Sequence, residues 1–164
     1  AHVSDCPNHT VGRVTPFETR GIVALAGTFG YELDVTKIPA EDREMIPDQI
    51  AMYHKYNDLV REGDYYRIAS YAQNHKYDCW QVVSEDKTAS LVTFVQVLNR
   101  ANFKSRRILL KGLDAKKTYQ VVFEHGDKVE DQTYSGDTLM KAGLLVPNPW
   151  GDFRAQLISL REVY

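Results

Sequence analysis

Apolar residues follow one pattern in the first 63 positions and another in the rest of the chain. Residues 15–27 and 40–62 place apolar side chains at helical spacing, and between them lies the short apolar and aromatic stretch 27–34. A short apolar run between two helices is typical of a buried strand in an α/β layer. From residue 64 onward the pattern has period two or consists of runs of β-forming residues. The chain is therefore predicted to contain a helix–strand–helix unit followed by a β domain.

Local signals set the expected limits of the helices in the first part. Thr15, Pro16 and Glu18 have the spacing of a capping box with proline at the first helical position, so a helix is predicted from Thr15 to Gly27. Pro47 predicts a break or kink in the helical segment 40–62, and Gly63 is a suitable cap. The strand between the helices needs parallel neighbours, which we do not find in this sequence. Residues 1–63 are thus expected to be the end of a larger α/β domain.

The second part contains about seven short β segments separated by turn residues. One short helix, over residues 135–143, interrupts them. Strands at this spacing predict an all-β antiparallel sandwich over residues 64–164. The predicted strands are 65–68, 80–84, 89–98, 106–111, 118–124, 144–146 and 153–163.

Composition narrows the classes of partner. The formal net charge is −2, which does not favour nucleic acid or an anionic membrane surface as a partner. No apolar run approaches the roughly 20 residues of a membrane span, and no signal peptide is recognisable. The two cysteines, Cys6 and Cys79, do not form a disulfide framework, so we expect a reducing, cytoplasmic compartment.

The polar segment 1–13 is the first candidate for function, and we predict it to be a loop. His2, Asp5, Cys6 and His9 are all zinc-ligand types, but their spacing matches no closed structural site. We therefore predict no metal and no cofactor. A loop at the carboxyl end of a barrel strand would instead carry substrate contacts.

Glu32 and Asp34 are a second candidate, because they lie two residues apart near the end of the predicted strand. Two carboxylates on one face of a strand suggest acid/base catalysis of the glycosidase type. In the alternative interpretation they bind loop groups and helix N-termini, and this alternative is favoured.

Two specific blocks of sequence and four weaker ones occur in the order typical of one enzyme family. The first block contains His2-Val3-Ser4, Pro7-Asn8-His9, Gly12-Arg13 and residues 15–20, and the second is residues 27–34. The weaker blocks are 82–86, 110–114, 134–137 and 151–153. Together they resemble the end of the catalytic barrel and the C-terminal β-domain of bacterial α-galactosidases of glycoside hydrolase family 36.

The resemblance implies the last strand and helices of a TIM-type (β/α)8 barrel over residues 1–63, followed by the β-sandwich over 64–164. It also implies a retaining hydrolase of terminal α-galactosyl residues, with substrates such as melibiose and raffinose. Such enzymes use two carboxylates about 5–5.5 Å apart. In the family both lie upstream of the part that Ala1 matches. No catalytic residue is therefore assigned in this chain, and the chain alone is expected to be inactive.

Contacts with galactosides are expected only at the rim of the pocket. The residues that could form this rim are Ser4, Asp5, Cys6, Asn8 and His9. The resemblance also implies a homo-oligomer for the full-length enzyme. Two alternatives remain open from the sequence: a carbohydrate-binding β-sandwich, or an oligomerisation module without a ligand.

Overall fold

The computed structural model describes residues 1–102, 104–126 and 129–163. The first part contains β1 (Val3–Ser4), α1 (Phe17–Ala24), β2 (Tyr31–Glu32), α2 (Ala40–Glu44) and α3 (Ile46–Glu62). The second part contains β3 (Asp64–Ala69), α4 (Tyr71–Asn74), β4 (Tyr77–Val83), β5 (Ala89–Gln96), β6 (Arg106–Ile108), β7 (Thr118–His125), β8 (Gln132–Ser135), α5 (Gly136–Lys141), β9 (Leu144–Val146) and β10 (Arg154–Glu162).

The first part is a small β–α–β unit. β1 and β2 are parallel, with Val3 opposite Tyr31 and Ser4 opposite Glu32, and α1 connects them. The expectation that the chain supplies no parallel neighbour for its strand is therefore wrong, and residues 1–13 are not entirely a loop. β1 has only two residues, of which Val3 alone is apolar and fully buried, so the sequence shows no alternation of apolar and polar residues that would predict this strand. The α/β fold class of the barrel end is confirmed.

The helix limits agree only in part with the local signals. α1 is capped by Pro16 without a side-chain cap, so the predicted capping box of Thr15 and Glu18 does not form. The carbonyl of Thr15 instead accepts a hydrogen bond from Nε of Arg20 at 3.0 Å. The predicted break near Pro47 is confirmed, because α2 and α3 are separate helices and Pro47 lies in the first turn of α3.

The second part is built on an antiparallel six-stranded sheet with the order β3-β4-β5-β10-β7-β8. This confirms the predicted antiparallel β domain, although the facing layer is only the two-stranded sheet β6–β9 together with α5. α4 and β8 were not predicted. β8 is an edge strand with the polar sequence Gln-Thr-Tyr-Ser, which has no apolar alternation to reveal it.

Both faces of the six-stranded sheet are covered. Phe94 and Ile158 face β6, β9 and α5, where they belong to the larger core cluster. On the opposite face, Leu157 packs with Ile22 of α1 and Tyr56 of α3 in a second cluster. The barrel end and the β domain thus share a core, while the division of the chain at residues 63 and 64 into two domains stays a prediction.

A polar cluster completes the contact between α3 and the sheet. One carboxylate oxygen of Glu124 on β7 accepts hydrogen bonds from Lys55 Nζ at 2.8 Å, from Ser159 Oγ at 2.7 Å and from the Tyr56 hydroxyl. Burial raises the pKa of Glu124, but these hydrogen bonds outweigh it and hold the pKa below its usual value. The charged carboxylate is therefore the form that stabilises the contact.

Replacing Leu157 with alanine should destabilise the helices and the sheet together, because the side chain is fully buried in the shared cluster. We expect a loss of about 2–5 kcal/mol in the free energy of unfolding. Urea unfolding should be followed by far-UV circular dichroism and by Trp fluorescence. Leu145→Ala, at a side chain that is 48% exposed, is the control and should cost under about 1 kcal/mol. Helices that unfold in a separate step would contradict a shared core.

Glu124→Gln should lower the free energy of unfolding at pH 7 by about 1–3 kcal/mol, since a charged acceptor of three hydrogen bonds is lost. A lowered folded pKa means that the charged form stabilises the protein above the unfolded pKa, and that this stabilisation is lost as the pH falls through the folded value. The difference between the two proteins should therefore shrink below about pH 4. Urea titrations at several pH values measure it, with the exposed Glu62→Gln as control. A difference that does not change with pH would refute this account.

Candidate functional site

The candidate site is the edge of the β–α–β unit at the carboxyl ends of β1 and β2. Residues 5–14, which we name the rim loop, leave β1 at this edge and lead to α1. The segment after β2, with Leu33 and Asp34, leaves from the same edge because the two strands are parallel. In α/β barrels this is the edge that carries substrate contacts.

The five predicted rim residues fall into two groups. Asp5, Cys6 and His9 are exposed, whereas Ser4 and Asn8 are half-buried. Asn8 holds the loop together, because its side-chain oxygen accepts hydrogen bonds from the amides of Thr10 and Val11, both at 3.0 Å. Its own amide donates to the carbonyl of Arg13 at 2.9 Å. Only Asp5, Cys6 and His9 thus present their side chains to solvent, and their contact with a substrate stays a prediction.

Arg20 on α1 fixes both ends of the rim loop. Its guanidinium donates from Nη1 to the carbonyl of Ser4 at 2.6 Å and from Nε to the carbonyl of Thr15 at 3.0 Å. The same group lies over the ring of Phe17 and 3.6 Å from a carboxylate oxygen of Asp42. A planar guanidinium carries five N–H donors spread over three nitrogens, whereas an ammonium has three donors on one nitrogen, so arginine is better suited to acceptors that lie in different directions. Sequence reasoning missed Arg20, because nothing local distinguishes it from a surface arginine.

The carboxylates of Glu32 and Asp34 are both engaged locally. Nε2 of His2 lies 2.7 Å from a carboxylate oxygen of Glu32. Asp34 accepts from the hydroxyl of Thr36 at 2.6 Å, and this hydrogen bond is the main reason that its pKa is lowered. A carboxylate with a lowered pKa is a poor general acid near neutral pH. The geometry therefore favours the interpretation that these residues organise the loops.

No group of three or more His, Cys, Asp and Glu side chains is placed to hold a metal ion within the part of the chain that the structure describes. Cys6 Sγ lies 3.7 Å from the carbonyl of Thr15, while His2 pairs with Glu32. Among the same residues, no helix is both long enough and apolar enough to cross a membrane.

The rim loop also contacts the β domain. The guanidinium of Arg13 lies 5.5 Å from the centre of the Phe153 ring, which is at the end of the β9–β10 loop (residues 147–153). This cation–π contact joins two segments that are 140 residues apart in sequence. No sequence signal predicts such a pair, because Arg13 has the pattern of a loop residue and Phe153 that of the first residue of a strand.

Comparison with known proteins assigns both parts of the chain. Residues 77–160 match the glycosyl hydrolase family 36 C-terminal domain, and residues 1–63 match melibiase. The chain is 40% identical to the alpha-galactosidase AgaA of Geobacillus stearothermophilus over 163 residues. It is 35% identical to the alpha-galactosidase Mel36A of Lactobacillus acidophilus, also over 163 residues. Each alignment covers 99% of this chain and 21% of the relative, so the chain spans about a fifth of their length.

Solved structures agree with this comparison. The galactosidase domain of AgaSK superposes with a TM-score of 0.91 at 37% identity, covering 99% of this chain and 22% of that one. AgaA of G. stearothermophilus in complex with raffinose gives 0.90 at 38% identity, with the same coverage. A structure of AgaA in complex with stachyose gives 0.90 at 39% identity, again covering 99% and 22%.

Replacing Arg20 with lysine should loosen the rim loop, because one ammonium group cannot reach both carbonyls and Asp42. We expect hydrogen exchange at the Asn8 and Gly12 amides, which close the loop, to accelerate about tenfold or more. Exchange of the β10 amides reports global stability and serves as the internal reference. Arg61→Lys, which affects only exposed pairs with Asp58 and Glu62, is the control variant. Unchanged exchange of the loop amides in Arg20→Lys would show that Arg20 does not hold the loop.

Proposed function

This chain belongs to glycoside hydrolase family 36, and we propose that it forms the C-terminal part of a retaining α-galactosidase. The whole enzyme would remove terminal α-galactosyl residues from oligosaccharides such as melibiose and raffinose. The observation that carries the proposal is the agreement over both parts at once, with a TM-score of 0.91 across 99% of the chain. The raffinose and stachyose bound in the AgaA structures support the choice of substrate.

In this proposal the catalytic carboxylates belong to the remainder of the enzyme. A retaining mechanism needs one carboxylate as nucleophile and a second as acid/base. In this chain Glu32 pairs with His2, and Asp34 is held by Thr36 and Lys37, so both are occupied in organising loops. The chain would contribute a wall of the barrel, its rim and the β domain that covers two of its helices.

The rim loop would border the galactoside pocket. Asp5 and His9 are exposed on it and offer hydrogen-bonding groups of the kind that sugar hydroxyls require, and Cys6 is exposed between them. Ser4 and Asn8 would act indirectly, since Ser4 anchors the loop to Arg20 and Asn8 closes it. Substrate contacts at a rim would affect KM more than kcat.

We further propose that the whole enzyme is a homo-oligomer in a reducing compartment, the cytoplasm. Cys6 and Cys79 are both free thiols, one exposed and one buried. Unpaired cysteines are the usual state in that compartment. The oligomer follows from the family resemblance.

The purified chain should not hydrolyse an aryl α-galactoside, because it lacks the carboxylate pair. Release of the aryl alcohol should equal a buffer blank at any protein concentration. Turnover well above the blank, which also disappears in Glu32→Gln or Asp34→Asn, would refute the assignment of the catalytic residues to the rest of the enzyme.

A chimera tests the positive half of the proposal. This chain should replace the matched segment of AgaA, and the product should keep α-galactosidase activity within about tenfold of AgaA. Size-exclusion chromatography and circular dichroism must first show that the chimera folds and assembles as AgaA does. A chimera that passes this control and does not cleave raffinose would contradict the proposal.

A further inference from the structure

The β9–β10 loop presents a tryptophan to solvent. The side chain of Trp150 is 89% exposed, more than the other large apolar side chains that the structure shows at the surface. Most tryptophans bury much of their area, and exposed ones are concentrated at binding surfaces. Packing within the fold therefore does not account for the exposed indole of Trp150.

The backbone around Trp150 is held firmly. The side chain of Gln96, which is completely buried, donates from Nε2 to the carbonyls of Pro149 and Gly151, each at 3.0 Å. These carbonyls flank Trp150 on both sides. The amide of Phe153 donates to the carbonyl of Val97 at 3.0 Å. The exposure of the indole is thus imposed by a fixed loop.

The same loop contacts the rim loop. Phe153 lies under the guanidinium of Arg13, which belongs to the rim loop. Phe153 has φ of +51°, a conformation that bulky residues rarely adopt, so the surrounding contacts must maintain it. Trp150 is therefore carried by a segment that is fastened to the proposed rim of the pocket.

Sugars fit such a surface chemically. The face of an indole ring is electron-rich, and the C–H face of a pyranose is apolar and weakly positive, so the two stack. Asp152 belongs to the same loop, and its carboxylate accepts a hydrogen bond from the backbone amide of Asn99 at 2.7 Å. A carboxylate can also accept hydrogen bonds from sugar hydroxyls.

We propose that Trp150 is a stacking platform for a sugar unit of an oligosaccharide substrate, at the outer part of the rim. This inference rests on the proposed function for the choice of oligosaccharide, but it concerns binding and not hydrolysis. It predicts that this chain binds stachyose weakly although it does not cleave it.

The two tryptophans of the chain make a direct test possible. In ¹⁵N-labelled protein, the indole N–H groups of Trp150 and Trp80 give two separate NMR signals, and Trp150→Phe assigns them. Titration with stachyose should shift the Trp150 signal saturably, with half-saturation in the millimolar range, about 1–10 mM. The Trp80 signal should stay in place, because Trp80 lies on β4 beside Leu25 and Val60.

Two variants complete the test. Trp150→Ala should abolish saturation-transfer signals from stachyose to the protein. Tyr65→Ala, which removes another aromatic ring that is 55% exposed, should leave them unchanged. A Trp150 signal that does not shift on addition of stachyose refutes the stacking platform. So does a signal that shifts only with protein concentration, since the indole would then be a contact between copies of the chain.

The outcome is independent of the test of the enzyme assignment. An active chimera, together with a Trp150 signal that does not shift with stachyose, would refute the platform and leave the α-galactosidase assignment intact. An inactive but folded chimera, together with a saturable Trp150 shift and saturation-transfer signals that are lost in Trp150→Ala, would refute the assignment and support the platform.

Discussion

The burial of β10 on both faces is the constraint on which the rest of the structure depends. Leu157 and Ile158 are neighbours in sequence, yet each is fully buried in a different core. Antiparallel sheets often leave one face to water, and this sheet cannot do so because α1 and α3 cover it. The helices of the barrel end and the β domain are therefore parts of one packing unit, and neither buries its apolar face alone.

This shared core also positions the candidate site. α1 packs against β10, where the hydroxyl of Thr19 accepts a hydrogen bond from the buried amide of Ala155 at 3.2 Å. Arg20, the next residue on α1, holds both ends of the rim loop. The β domain thereby determines where the rim loop lies, although it contributes no catalytic group in the proposed function. The contact of Arg13 with Phe153 is a second link between the rim loop and the β domain.

Much of the fold could be predicted because its signals are local. Short stretches of neighbouring residues determine the change in hydrophobic period near residue 64, the break near Pro47 and most strands of the β domain. The same holds for the family resemblance, which rests on short contiguous blocks. Two strands were missed because neither shows an alternation of apolar and polar residues. β1 has two residues, and β8 is a polar edge strand.

The sequence by itself determined the fold class and the family, since each follows from residue types and their spacing. Tertiary structure alone decided that β1 is the parallel partner of β2, that the two parts share a core, and that Asn8 and Arg20 hold the rim loop. It also decided that the loop bearing Trp150 meets the rim loop. These facts depend on contacts between residues far apart in the chain, and a local pattern carries no information about which distant surface will cover it.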